Sequence, residues 1–248
     1  MYSDQEQPPP TQPPAYMPPT QRVKFEFIGE AFQLLQKQFG AWVGAATLTV
    51  LLTSLFISPI YIYWAFQLTK NPEQTNPTVS GLLSIVVTLV STIMGAGLQY
   101  MALKQLRGET LSATSFTGAF SKFGPLAILG LFLGAVSALF GVLPGFLPLL
   151  LIVPEILLTT FFTLSSLLIL DRNLEPVAAL KESVRVMRQE FWISLAFILL
   201  SGMASMVGFA ACGLGVLFSL PLYPLCIVLL YRAFYPERFS PTTTQEGQ

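Results

Sequence analysis

This sequence contains no histidine, and charged residues fill only 10% of its 248 positions. Without histidine there is no Ser-His-Asp triad, no Cys-His pair and no imidazole-ligated metal. Cysteine is nearly absent too. Cys212 and Cys226 would lie about 20 Å apart on one helix, which is beyond disulfide reach, so both are expected as buried free thiols. There is no glycine-rich phosphate cradle or Walker pattern, and the basic residues are too few for a nucleic-acid surface. A non-enzymatic protein follows, with no metal, no cofactor and no nucleic-acid partner.

Apolar sequence takes the place of charge. Hydrophobic residues reach 53% and mean hydropathy is +0.63, where a soluble domain carries about a quarter of its residues as charges. Six apolar runs stand out, 41–68, 79–103, 125–143, 149–170, 191–209 and 214–231. Crossing a hydrocarbon core takes about 17 to 25 helical residues, so each run suffices or nearly so. The expected fold is all-α, a polytopic bundle of six transmembrane helices over residues 22–239, flanked by disordered tails at 1–21 and 240–248.

Of the 13 Lys and Arg residues, only Lys70 falls in an odd-numbered connection between runs. The rest cluster before the first run, in the second and fourth connections, and after the last. By the positive-inside rule both termini face the cytoplasm of a multi-pass cell-membrane protein. Trp42 and Trp192 then read as an inner aromatic belt, with Tyr61, Tyr63 and Trp64 as the outer one.

Residues 1–20 are polar and proline-rich, with no apolar core for a signal peptide, so targeting is expected from the first membrane helix. "QPPPTQPPAYMPPT" predicts a polyproline-like tail. P-x-x-P at Pro10 to Pro13 and P-P-x-Y at Pro13 to Tyr16 allow either a plain spacer or a docking site for an envelope protein partner.

Each cytoplasmic connection ends in a short amphipathic segment that meets a membrane helix at an aromatic junction, Phe39-Gly40, Phe123-Gly124 or Phe191-Trp192. The chain thus reads as a weak three-fold repeat of interfacial helix, outward helix and return helix. Ile28, Phe32, Leu35 and Phe39 form one apolar stripe, and Val177, Leu180, Val184, Met187 and Phe191 form another. Lys181, Arg185 and Arg188 share the face opposite the second stripe. That basic face either contacts anionic lipid of the bilayer or serves only as a topology signal.

Inside the runs, Gly130 and Gly134 form a G-x-x-x-G, Gly95-Ala96-Gly97 sits in the second run, and Ala204 with Gly208 in the fifth. Such small residues serve close packing within the bundle or, alternatively, a homo-oligomer. Pro59, Pro221 and Pro224 are expected to kink or interrupt their helices.

Glu155 is the only ionisable residue well inside a run. A carboxylate there either lines an ion or proton pathway or occupies the first turn of a helix that starts at Pro154, where the helix dipole favours it. In the second case residues 141–154 form an irregular outer or re-entrant segment.

The stretches "FIGEAFQLLQKQFGAW", "ALKESVRVMRQEFWISLAFILL" and "ACGLGVLFSLPLYPLCIVLLYRAF" carry an A-x-x-x-S pair at Ala179 and Ser183, a C-G-x-G turn at Cys212 to Gly215 and a Pro221 helix ending at Tyr231. In these the chain resembles a family of bacterial integral membrane proteins with Pro-rich N-terminal tails, similar to the membrane domain fused to some glycerophosphodiester phosphodiesterases. The resemblance implies a six-helix membrane domain over most of residues 25 to 235, without the soluble phosphodiesterase domain and its activity. The first expectation for function is a scaffold, accessory or regulatory component of the cell envelope. The second is a small transporter or channel for ions or lipids, with a path lined by Glu155 and the kinked helices near Pro59 and Pro221.

Overall fold

The computed structural model describes residues 23–70, 77–141, 147–210 and 219–239. The proline-rich tail, Cys212 with its C-G-x-G turn, and the C-terminal tail lie outside the described residues.

All regular structure among the described residues is helical. The α-helices are α1 (Glu26–Lys37), α2 (Phe39–Lys70), α3 (Pro77–Leu106), α4 (Phe123–Gly141), α5 (Leu147–Phe162), α6 (Ser165–Arg172), α7 (Pro176–Met187), α8 (Phe191–Ala210) and α9 (Leu222–Phe234). Five stretches are long and apolar enough to cross a membrane, namely Phe39–Tyr63, Val79–Leu106, Ser115–Leu139, Val153–Arg172 and Pro176–Val207. Their outer surfaces are oily: Leu55 is 67% exposed, Leu139 72% and Val207 69%. So much apolar side chain facing outward suits a lipid surround rather than water, as expected of a multi-pass membrane protein.

The sixth apolar run takes a different place from the other five. Its described helix α9 is 13 residues long, about 20 Å, and is short for a span by itself. It forms the centre of the bundle, with every residue from Leu225 to Tyr231 buried, and packs against α1, α3 and α8. Pro221 and Pro224 fit this position because both fall at its start, where missing amide hydrogens cost little. Cys226 within it is a buried free thiol.

The most extensive helix pairing joins α3 to α4. A Cβ added at Gly134 would stand 2.9 Å from the Ile85 Cα, and one at Gly130 would stand 3.1 Å from the Leu89 Cα. The G-x-x-x-G pair therefore brings two backbones of this one chain together, the role that small residues serve in lipid.

Four sequence expectations change at this level. Helix α5 starts at Leu147 and runs through Pro154, so Glu155 is not in a first turn and residues 147–154 are helical. The interruption comes later, at Thr163-Leu164, between α5 and α6. The segment before Phe123 is a 3-10 run, Ser115–Lys122, whereas those before Phe39 and Phe191 include the α-helices α1 and α7. Trp42 is fully buried and donates its indole N–H to the Gln105 Oε1 at 2.7 Å. It is a core residue and no part of an aromatic belt, whereas Trp192 is 75% exposed.

The stripe on α7 is also redistributed. Pro176, Ala179, Ser183, Val186 and Met187 are the buried face, and Val177 is exposed. Small residues at Ala179 and Ser183 let α7 lie close on α5, and the Ser183 hydroxyl donates to the Phe161 carbonyl at 2.6 Å. That carbonyl belongs to the last turn of α5, where backbone acceptors lose their helical partners.

Candidate functional site

A cavity of about 240 Å³ opens between α3, α4 and α5, and Glu155 is on its wall. Two polar sets build it. From α3 come Thr88, Ser91, Thr92, Gly95 and Gln99, at steps that place them on one face of that helix. From α5 come Glu155 and Thr159, one turn apart, followed by Thr163 at the break and Ser166 of α6. Ser137 of α4 and Tyr223 of α9 complete the polar lining.

The polar atoms of the wall are partly committed. Thr159 donates its hydroxyl to the Ile156 carbonyl at 3.0 Å, and Thr163 donates to the Thr159 carbonyl at 2.8 Å. Ser166 donates to the Gln99 Oε1 at 2.5 Å, tying α6 to α3 across the break between α5 and α6. Hydroxyls that have given their proton to a neighbour retain lone pairs as acceptors. Among the described residues the cavity thus carries one carboxylate and several acceptor oxygens, and no Lys or Arg lines it. Glu155 is half-buried and has no hydrogen-bond or ion-pair partner among the described residues. Such a site favours a cationic occupant, and it lacks the clustered ligands of a protein metal centre, since no three His, Cys, Asp or Glu converge among the described residues.

Gly95 has open space where a Cβ would go, in contrast to Gly97, whose Cβ would meet the Phe116 carbonyl oxygen at 3.1 Å. A second, mostly apolar cavity of about 440 Å³ lies between α3, α8 and α9 and shares Gly95, Gln99 and Tyr223 with the first. Pro59 is exposed on α2 and lines neither cavity, and Pro221 precedes α9 without lining either.

Lys181, Arg185 and Arg188 converge elsewhere. With Phe162, Leu180 and Val184 they line an open groove of about 390 Å³. Phe162 also lines the Glu155 cavity, so one aromatic ring lies between the two sites.

A third polar assembly gathers the charged end of the bundle. The Asp171 side chain is 1% exposed and accepts from Arg107, from the Tyr231 hydroxyl at 2.6 Å and from the Arg238 Nε at 3.1 Å. Glu182 accepts from Arg185 at 2.6 Å and from the Tyr235 hydroxyl at 2.9 Å, with Arg172 at 3.7 Å. Burial and the Glu182 carboxylate push the Tyr235 phenol well above its ordinary range, which keeps it protonated as a donor. Arg232 pairs with Glu30 of α1 at 2.6 Å. In the sequence Arg107, Arg172, Arg232 and Arg238 counted only as topology markers, and Arg185 as part of a basic face. Their partners Asp171, Glu182 and Glu30 went unnoticed because nothing in the linear spacing pairs an acid on one helix with a base on another.

No protein-family model, curated protein or solved structure matches the chain.

Proposed function

We propose that this chain is a non-enzymatic, multi-pass protein of the bacterial cell membrane that binds a small cation, a monovalent metal ion or protonated amine, at Glu155 and conducts it across the bilayer. The observation that carries this reading is the placement of the one carboxylate of the apolar runs in a cavity lined by hydroxyl and amide oxygens, with no compensating base among the described residues. Ionisable groups at membrane depth are costly and mark ion or proton paths, and an interrupted helix beside them frees backbone acceptors for such a ligand. The interruption at Thr163-Leu164 borders this cavity.

Both termini face the cytoplasm in this reading, as the distribution of Lys and Arg requires. In this reading the sixth apolar run, which contains most of α9, makes the sixth crossing. The segments ahead of Phe39, Phe123 and Phe191 lie along the inner surface as three repeats, in keeping with the six-helix family that the sequence resembles. Proteoliposomes loaded with a panel of alkali cations and small amines test the function. Flux of at least one of them should fall about tenfold or more in Glu155→Gln; flux of every cation at the rate of empty liposomes would overturn it. The scaffold reading rests on the N-terminal proline motifs, the interfacial segments and the lack of catalytic motifs, and a stoichiometric partner lost on deletion of residues 1–20 would restore it to first place.

A further inference from the structure

We infer that the groove on α7 is a binding site for one anionic phospholipid, separate from the Glu155 cavity. Its lining is of two chemistries. Lys181 and Arg188 are exposed and have no carboxylate partner among the described residues, and Arg185 is 72% exposed beside Glu182. Beside them on α7, Leu180 and Val184, with Phe162 of α5, make the apolar part of the same groove. A phosphodiester headgroup matches the three cations, and an acyl chain matches the apolar part.

The location fits the same occupant. Phe162 packs edge-on against Phe132 of α4 at 5.8 Å, and Phe132 is itself exposed on the apolar surface. Next to the groove, Phe161 stacks on Phe191 at 4.6 Å and Trp192 is exposed, the aromatic composition of a membrane boundary. The groove therefore begins at headgroup level and continues into hydrocarbon. Ser183 ties α7 to α5 from the opposite side, which leaves the basic face turned outward.

The test is native mass spectrometry of the full-length protein released from neutral detergent, titrated with phosphatidylglycerol and separately with phosphatidylcholine. A single phosphatidylglycerol should be retained in preference to phosphatidylcholine. Lys181→Gln with Arg188→Gln should weaken retention about 30-fold, from about a fivefold contribution per cation, while the exchange Lys181→Arg with Arg188→Lys should keep most of it. Equal thermal midpoints for the two double variants separate a lost site from a lost fold. Equal retention of the two lipids, or undiminished phosphatidylglycerol on the glutamine variant, would overturn the inference. So would displacement of the lipid by millimolar inorganic phosphate, since the groove would then be a simple anion site.

Discussion

Single side chains divide here into those that hold the bundle and those that leave an opening in it. Asp171 belongs to the first kind. Its carboxylate is buried under two guanidinium groups and a phenol, so Asp171→Asn leaves three donors converging on a neutral amide. A loss of about 2–3 kcal/mol is expected, seen as a lower thermal midpoint in mild detergent. Lys181→Gln, at an exposed position, should change stability by less than about 0.5 kcal/mol. Glu155 is of the second kind: Glu155→Gln should leave the midpoint unchanged or raise it, because the carboxylate has no partner to lose and the amide is cheaper to bury. Glu155 was legible in the sequence because a lone charge in an apolar run has few explanations. The stripe of Thr88, Ser91, Thr92 and Gln99 was written there too, at helical spacing. Its meaning was hidden because Ser and Thr are common in membrane helices and satisfy themselves on nearby carbonyls, and only the fold shows which two polar sets face each other.

Helix pairs carry the next set of consequences. Gly134→Leu must push α4 away from the Ile85 backbone and should cost about 1–3 kcal/mol, whereas Gly95→Ala enters open space and should be neutral or stabilising by up to about 1 kcal/mol. Comparing the unfolding of the two variants checks this contrast between a packed and an open glycine site. Ser183→Ala removes the donor that covers the Phe161 carbonyl, and about 1 kcal/mol should be lost in the same assay. The starts of α2, α4 and α8 at Phe39, Phe123 and Phe191 were readable from aromatic junctions and a change of periodicity. The break at Thr163-Leu164 was not, because no Pro or Gly marks it. Pro154 suggested a helix start that the chain does not use: a proline removes one amide donor and bends the axis, but a helix can continue through it.

At the scale of the whole molecule, the exposed apolar belt, the charged end tied by Asp171, Glu182 and Glu30, and the cavity at Glu155 form one arrangement. The charged end ties the residue after α3 and the short helices α1, α6, α7 and α9 together, and the cavity lies farther along α3 and α6. Orientation at this scale is testable with reporters. A fluorescent protein fused after Gln248 should fluoresce and alkaline phosphatase fused there should be inactive; the opposite pair would reverse the topology. An occupiable cation site at Glu155 can be probed by reaction with dicyclohexylcarbodiimide, which modifies carboxyl groups in apolar surroundings, followed by peptide mass spectrometry. Glu155 should be modified, and the transported cation should protect it in a concentration-dependent way. Modification of Glu155 that no cation diminishes, or none at that residue, would contradict such a site.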